Sequence, residues 1–230
     1  MPVKVDIKAL YEAGVHFGHK TSRWHPKMAP YIHSKRQESH IINLEKTVDA
    51  LEVVLPLVTK TVADGKQVLF VGTKKQSKDV TRAAAESVAQ PYVTERWIGG
   101  MLTNVTTINA QIKKLHDLER RMASGDLEKR YSKLEVQRFQ EEIDLLNAKY
   151  SGIKELKGKP GLVIVLDTLI DANAIREAKN IGVPVIGIVD TNANPDTVDY
   201  VVPGNDDSLK GLQLLLDYFT AAVKEGKVEK

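Results

Sequence analysis

The sequence has no cysteine among its 230 residues. This absence excludes a disulfide framework, a thiolate nucleophile and a Cys-based zinc site, and it fits a reducing compartment. Aromatic residues are also few, at 6% of the chain. No apolar run approaches the length of a membrane span, and charged residues interrupt the N-terminus where a signal peptide needs an apolar core. We therefore expect a cytosolic protein without membrane contact.

Charge is distributed unevenly along a chain whose formal net charge is only +3. Residues 1–100 carry 15 Lys/Arg against 10 Asp/Glu, residues 101–159 carry 12 against 9, and residues 160–230 carry 6 against 11. A basic front and an acidic back indicate a polyanion bound on one side. The asymmetry is modest, and chance also produces such differences.

The most unusual stretch runs from Gly14 to Arg36 and is called here the basic segment. It contains five Lys/Arg, no Asp or Glu, and four of the six histidines. Pro26 and Pro30 exclude a continuous helix, and no period of 2 or 3.6 runs through it. We expect an irregular arm whose cations and interleaved rings suit a phosphate backbone and unstacked bases. The alternative is a solvated loop with Trp24 packed in the core.

Elsewhere apolar runs alternate with helical patterns, which predicts a three-layer α/β/α sandwich around a mainly parallel sheet. The clearest strands, 162–167 and 185–190, each end in Asp and enclose a helix, as in a βαβ unit. The other predicted strands are 40–44, 68–72, 92–97 and 200–203. The other predicted helices are 6–13, 45–63, 77–89 and 207–223, and the tail after Lys224 reads as disordered.

Residues 103–150 differ from the rest of the chain. Apolar residues recur every three or four positions in two stretches, separated by Ser124-Gly125-Asp126 and flanked by pairs of charges. Narrow apolar seams of this kind predict an antiparallel coiled-coil hairpin that projects from the body. We therefore expect an α/β domain formed by residues 1–102 and 151–230, with residues 103–150 inserted in it.

Ligands of open parallel sheets gather at the carboxyl ends of the strands. Gly72-Thr73-Lys74-Lys75 at one such end could cradle a phosphate, but neither GxxxxGK[ST] nor GxGxxG is present. Asp190 and Asp206 follow neighbouring strands, so we expect them to meet and to hold a divalent cation. A histidine of HFGH as ligand would favour zinc, and carboxylates alone would favour magnesium. The alternative is that Asp206 or Asp207 caps the last helix.

Several long segments together resemble one family. They are AGVHFGHKTSRWHPKM with Tyr31, HIINLEKT, VLFVGTKKQ, RWIGGMLTN, IGVPVIGIVDTNANPD and VDYVVPGNDD. In this order, from about Ile7 to Val223, they resemble the bacterial ribosomal protein two family of the small subunit. The competing hypothesis, a nucleotide-binding α/β enzyme, lacks both a phosphate fingerprint and a catalytic constellation.

The resemblance implies a flavodoxin-like sheet and a structural, non-enzymatic role in the small ribosomal subunit. It implies binding of small-subunit ribosomal RNA, contacts with neighbouring ribosomal proteins, docking of the messenger-binding ribosomal protein one, no required cofactor and no homo-oligomer. The candidate RNA-contacting residues are Lys20, Arg23, Trp24, Lys27, Lys35, Arg36, Lys74, Lys75, Arg96 and Asn104. The candidate metal ligands are Asp190 and Asp206.

Overall fold

The computed structural model of the chain describes residues 3–228, and two sheets form within them. The strands are β1 (Phe17–Lys20), β2 (Ile32–Arg36), β3 (Ser39–Ile42), β4 (Val68–Val71), β5 (Tyr92–Val93), β6 (Leu162–Val165), β7 (Val185–Val189) and β8 (Tyr200–Pro203). The first three make an antiparallel sheet in the order β1–β3–β2, called here the N-terminal sheet. The other five make a parallel sheet in the order β5–β4–β6–β7–β8.

The parallel sheet has the strand order of flavodoxin-like folds, as expected. Every residue of β4, β6 and β7 is buried, because helices cover both faces of the sheet. This explains why these strands are continuous apolar runs without alternation. The carboxyl ends of β4, β6, β7 and β8 lie side by side and point the loops that follow them in one direction.

The helices form the two outer layers. They are α1 (Ile7–Glu12), α2 (Leu44–Ala63), α3 (Lys78–Ser87), α4 (Val105–Ala123), α5 (Asp126–Arg130), α6 (Lys133–Tyr150), α7 (Ala172–Asn180) and α8 (Leu209–Val228). Buried residues of α1, α2, α3 and α8 share one apolar cluster with the sheet, and those of α4, α6 and α7 share the other. The predicted three-layer α/β/α class is confirmed. No helix among residues 3–228 combines the length and hydropathy that a membrane crossing needs.

Helices α4 and α6 lie against each other and are joined by the short helix α5. Lys114 pairs with Glu142, and Asn147 Nδ2 donates to Glu119 at 2.8 Å. Ser132 opens α6 with a reciprocal capping box. Buried residues of both helices belong to the same apolar cluster as the sheet, so the base of this helical pair is continuous with the core. The two helices and their break were predicted, and the coiled coil stays a prediction.

Three expectations about local structure were wrong. The basic segment is not irregular throughout, because β1 and β2 pair with β3 on either side. The turn after β2 holds Gln37 and Glu38 at φ of 46° and 63°, as a two-residue hairpin loop requires. The predicted strand 92–97 is only Tyr92–Val93, and α8 extends to Val228 where a disordered tail was expected. Residues 229–230 of that predicted tail lie outside the described residues.

The N-terminal segment is fastened by residues that come almost 200 positions later. Asn205 N–H donates to Val15 O at 3.0 Å, and the Asn205 side chain donates to Gly14 O at 3.1 Å. Ser208 Oγ donates to Ala13 O at 2.8 Å. These bonds join the loop after β8 to the turn before β1 and hold the N-terminal sheet beside the carboxyl edge of the parallel sheet.

Candidate nucleic-acid interface

The N-terminal sheet gathers three of the predicted cations at one end. Lys20 closes β1 and lies opposite Ser39, which also pairs with Arg36 at the end of β2. Lys35 precedes Arg36 and projects from the opposite face of the strand. All three cations are exposed, and the ion pairs found among residues 3–228 include none of them. The tip is therefore a cationic surface with Glu38 as its one exposed acid.

The two 3₁₀ turns between β1 and β2 carry the remaining residues of this surface. Arg23 is exposed at the end of the first turn. Trp24 is 38% exposed, and its ring centroid lies 5.3 Å from that of the buried His40. Trp24 is thus neither free in solvent nor packed in the core. Lys27 pairs with Asp196, so its charge is already partly neutralised within the chain.

The N-terminal sheet is held against the parallel sheet through Thr191, the second residue after β7. Thr191 Oγ1 accepts from His19 N at 2.9 Å, and its carbonyl accepts from His25 N at 2.7 Å. A Cβ on Gly18 would lie 2.6 Å from Thr191 Cγ2, which explains the glycine of HFGH. Met28, fully buried, belongs to the apolar cluster that packs on the parallel sheet. These contacts fix the cations of the N-terminal sheet relative to the core.

Beneath this sheet, four carboxylates, a lysine and a histidine form a cluster at the strand ends. Lys74 Nζ lies 3.1 Å from Asp167, 2.7 Å from Asp206 and 2.8 Å from Asp207. His19 bridges two carboxylates, with Nδ1 3.1 Å from Asp190 and Nε2 3.4 Å from Asp207. The side chains of Asp167, Asp190 and Asp206 are almost fully buried, and that of Lys74 is 14% exposed.

The charges of the cluster set its protonation. Burial raises the pKa of Asp206 to about 7, and the neighbouring charges of Asp190 and Asp167 act in the same direction. Burial lowers the pKa of Lys74, but the carboxylates of Asp206 and Asp207 outweigh this and raise it. The hydrogen bond to Asp190 raises the pKa of His19. Lys74 is therefore protonated at neutral pH, and Asp206 takes up a proton at a higher pH than an exposed aspartate does.

The expected meeting of Asp190 and Asp206 is present, since Asp206 N lies 3.4 Å from Asp190 Oδ2 and both are buried. Sequence reasoning missed that Lys74 lies among these carboxylates and that Asp207 is one of its ion-pair partners. Lys74 was assigned to phosphate binding, but its ammonium group faces carboxylates, while Lys75 is exposed. The sequence did contain a signal for this arrangement, because Asp follows three consecutive strands of the parallel sheet and Lys74 follows a fourth. A lysine at that place is the natural counter-charge of the three carboxylates.

A second region of interest is the loop that contains RWIGGMLTN. Arg96 is exposed, and Asn104 caps α4 by accepting from Thr107 N at 3.5 Å. The Glu177 carboxylate of α7 accepts hydrogen bonds from five donors of this loop, which sequence reasoning missed. The donors are Trp97 Nε1 at 3.1 Å, Gly100 N at 2.7 Å, Leu102 N at 3.0 Å, Thr103 N at 3.3 Å and Thr103 Oγ1 at 3.2 Å.

Fold and surface together define a class: a flavodoxin-like α/β protein with a cationic antiparallel sheet fastened at the carboxyl edge, where proteins of this fold usually bind ligands. Comparison with known proteins narrows the class. The sequence matches the family model described as Ribosomal protein S2 over residues 10–226. The chain belongs to the ribosomal protein S2 family.

Relatives from distant bacteria agree with this assignment, and each is named small ribosomal subunit protein uS2. The Thermus thermophilus protein is 45% identical over 94% of this chain and 84% of its own length. The Rickettsia rickettsii protein is 45% identical over 98% and 76%. The Treponema pallidum protein is 45% identical over 96% and 76%.

Family membership makes the chain a structural protein of the small ribosomal subunit and not an enzyme. The resemblance inferred from the motifs is therefore confirmed, and so is the expected location in the small subunit. The competing hypothesis of a nucleotide-binding enzyme was wrong. Its strongest support was the strand-end lysine Lys74, whose contacts with three aspartates give it a different role.

Proposed function

We propose that the chain binds small-subunit ribosomal RNA, with the N-terminal sheet as the main contact. The observation that carries this proposal is the set of exposed cations with no acidic partner in the described chain. They are Lys20, Arg23, Lys35 and Arg36. Such residues bind phosphates by releasing condensed counterions, and Trp24 adds a partly exposed ring on which a base can stack. The exposed Lys75 adds a further positive charge to this surface, near the carboxyl ends of the strands.

Two of the residues predicted from the sequence are not included among these contacts. The ammonium group of Lys74 already contacts three carboxylates, and Lys27 already pairs with Asp196. Titration of the wild-type protein against small-subunit ribosomal RNA between 50 and 300 mM salt tests the proposal. Affinity that falls steeply with salt supports it, and affinity that does not depend on salt contradicts it.

We extend the interface to the loop around Gly99, with Arg96 supplying charge and Asn104 a polar side chain. Gly99 is exposed, its φ is not positive, and a Cβ built on it meets nothing within 4 Å. Nothing within residues 3–228 therefore requires glycine at this position. Close approach of an external backbone is a physical reason for it.

We expect Gly99→Ala to leave the melting temperature unchanged within about 1 °C and to weaken RNA binding about tenfold, as a steric clash at an interface does. Calorimetry and filter binding measure the two effects. The matched control is Gly125→Ala at the end of α4, which also has open space but holds φ at +69° and should lose stability without losing affinity. RNA binding unaffected by Gly99→Ala would remove this loop from the interface.

We also propose a divalent-cation site at the carboxylate cluster. Ligand atoms of His19, Asp206 and Asp207 all lie within 4.8 Å of one another, and Asp190 holds the other nitrogen of His19. A carboxylate that orients a histidine in this way is common behind zinc ligands, and the nitrogen ligand favours zinc over magnesium. A bound ion has to displace the Lys74 ammonium group from Asp206 and Asp207.

Elemental analysis after dialysis tests this site. We expect about one zinc per wild-type chain and none in the Asp190→Asn/Asp206→Asn double variant. Asp196→Asn, an exposed acid outside the cluster, should retain the metal. Equally negligible metal in the wild type and the double variant would contradict this site and leave Lys74 and His19 as the partners that residues 3–228 supply to these carboxylates.

We propose that residues 103–150 are an insertion that serves RNA and protein docking, including docking of the messenger-binding ribosomal protein one. Leu134 and Leu145 of α6 are 61% and 54% exposed and lie about three turns apart on one face, which suits an apolar partner. Ile108 and Tyr150 at the base belong to the same apolar cluster as the sheet, and this cluster continues along the seam between the two helices as far as Leu118 and Ile143. We infer that the outer part packs mainly on its own seam and is separable from the α/β domain formed by residues 1–102 and 151–230.

Replacing residues 116–145 by a short Gly/Ser turn should leave the α/β domain folded, since the basal contacts remain. Hydrogen exchange should give unchanged protection of β4, β6 and β7, and binding of isolated RNA at the N-terminal sheet should persist. Incorporation into small subunits and retention of ribosomal protein one should fall. Leu134→Gln/Leu145→Gln in the full chain is the matched test of docking alone. Loss of the core on shortening would contradict the domain division.

A further inference from the structure

The loop from Trp97 to Thr103 contains no regular secondary structure, yet its conformation is closely defined. Its carboxylate partner, Glu177, divides five donors between two oxygens: Trp97 Nε1 and Gly100 N contact Oε1, and Leu102 N, Thr103 N and Thr103 Oγ1 contact Oε2. Gly100 takes φ of +89°, and Asn104 N donates to Gly100 O at 2.7 Å. The loop is thus wrapped around one side chain from another element.

The residues held by Glu177 lie directly between the two that extend the proposed interface. Arg96 precedes Trp97, and Asn104 follows Thr103. Because Trp97, Met101 and Leu102 are buried, the loop is fixed from below by packing and from the side by Glu177. The path of the backbone between Arg96 and Asn104 therefore depends on the Glu177 carboxylate.

The chemistry of Glu177 suits this role. An acidic side chain close to RNA is repelled by phosphates unless its charge is satisfied within the protein. Burial raises the pKa of Glu177, but hydrogen bonds from Leu102, Trp97, Gly100 and Thr103 outweigh this and lower it. The carboxylate is ionised at neutral pH, and the donors that surround it spread its charge over the loop. A glutamine would offer one oxygen and place an N–H₂ group against backbone N–H donors.

We propose that Glu177 is a positioning residue for RNA recognition, which holds the Trp97–Thr103 loop so that Arg96 reaches the RNA. This inference rests on the RNA-binding function proposed above. A loop ordered before binding loses less conformational entropy in the complex, so disordering it lowers affinity without removing a contact. Glu177 itself touches no RNA in this scheme.

The test uses the full-length chain with Glu177→Gln, Glu177→Asp and the control Glu52→Gln. Glu52 is an exposed glutamate of α2, in the helical layer on the other face of the sheet, so its replacement removes the same charge without touching the loop. We expect Glu177→Gln to bind small-subunit ribosomal RNA about tenfold more weakly than wild type. Glu177→Asp, which keeps the charge, should bind with intermediate affinity, and Glu52→Gln should bind at least as tightly as wild type.

Two further readouts separate positioning from general destabilisation. The amides of Gly100, Leu102 and Thr103 and the Trp97 indole N–H should exchange with solvent faster in Glu177→Gln, while amides of β6 and β7 keep their protection. In an Arg96→Ala background, Glu177→Gln should cause a clearly smaller loss of affinity than in the wild type, because the main group that it positions is already absent. A purely structural role would lower affinity equally in both backgrounds.

The outcomes are distinct. The positioning role is overturned if Glu177→Gln binds RNA with wild-type affinity, or if its loss of affinity adds fully to that of Arg96→Ala. In either case, RNA binding by the wild-type chain still upholds the proposed function. Absence of salt-dependent RNA binding by the wild-type chain overturns the proposed function and this inference with it. If Glu177→Gln does not fold, Glu177→Asp in the two Arg96 backgrounds decides the question by the same comparison.

Discussion

Replacing Lys20, Arg23, Lys35 and Arg36 together by alanine should flatten the dependence of log affinity on log salt by about 3 units, because each lost phosphate contact removes about 0.7 to 0.9. Affinity for small-subunit ribosomal RNA at 50 mM salt should fall by at least about a hundredfold. All four side chains are exposed on the N-terminal sheet and its first 3₁₀ turn, so the fold should tolerate their truncation. Titrations at several salt concentrations give both quantities.

The control for this experiment is a second quadruple variant with the same change in net charge. Lys60, Lys66, Lys210 and Lys224 are exposed outside the N-terminal sheet. Their replacement by alanine should change the slope by less than about 1 unit. Lys27→Ala should also have a small effect, because Lys27 pairs with Asp196. Equal slopes for the two quadruple variants would mean that RNA responds only to net charge and that the N-terminal sheet is not the interface.

Lys74→Met should have the largest effect on stability of any single substitution considered for this chain. In metal-free protein this change keeps the apolar stem but leaves Asp167 and Asp206 buried without their cation, which typically costs about 3–5 kcal/mol. For a chain of this size the melting temperature should fall by roughly 10 °C. Lys75→Met, at the exposed neighbouring lysine, is the control and should change it by no more than about 1 °C.

The effect of Lys74→Met should also depend on pH. Burial already gives Asp206 a pKa of about 7 in the folded chain, well above that of an unfolded aspartate. The folded state therefore binds the extra proton, and stability falls as pH rises through 7. Removing Lys74 raises this pKa further, so the loss should be greater at pH 8 than at pH 6. Adding Asp206→Asn should restore part of the stability, and a double variant no more stable than Lys74→Met would contradict the pairing.

The features that could be predicted from the sequence are those that a local pattern or the chain topology determines. Strands β6 and β7 are apolar runs ended by Asp, and their burial on both faces makes the local pattern sufficient. The meeting of Asp190 with Asp206 followed from the rules of parallel sheets, whereas the flavodoxin-like sheet was implied by the resemblance to the family. These features depend on hydrophobicity and chain topology, which a single sequence contains.

The missed features depend on pairing between distant residues. Strands β1 and β2 have no alternating pattern, because the basic segment is mostly exposed and its register comes from β3. Lys74 after a strand-end glycine suits a phosphate as well as a carboxylate, and only the converging loops of Asp167 and Asp206 decide between them. Glu177 looks like any helix glutamate until the loop around Gly100 is folded against it.

The bonds that fasten the N-terminal segment have a consequence for the time course of synthesis. The hydrogen-bond partner of His19 is Thr191, which lies 172 residues further along the chain, and Asn205 and Ser208 come later still. At about 5–20 residues per second, the ribosome needs roughly 10 to 30 s to make the intervening chain. During this time the most cationic part of the nascent protein lacks the strands that hold it. The N-terminal sheet, which we propose as the RNA contact, therefore reaches its defined geometry only at the end of translation.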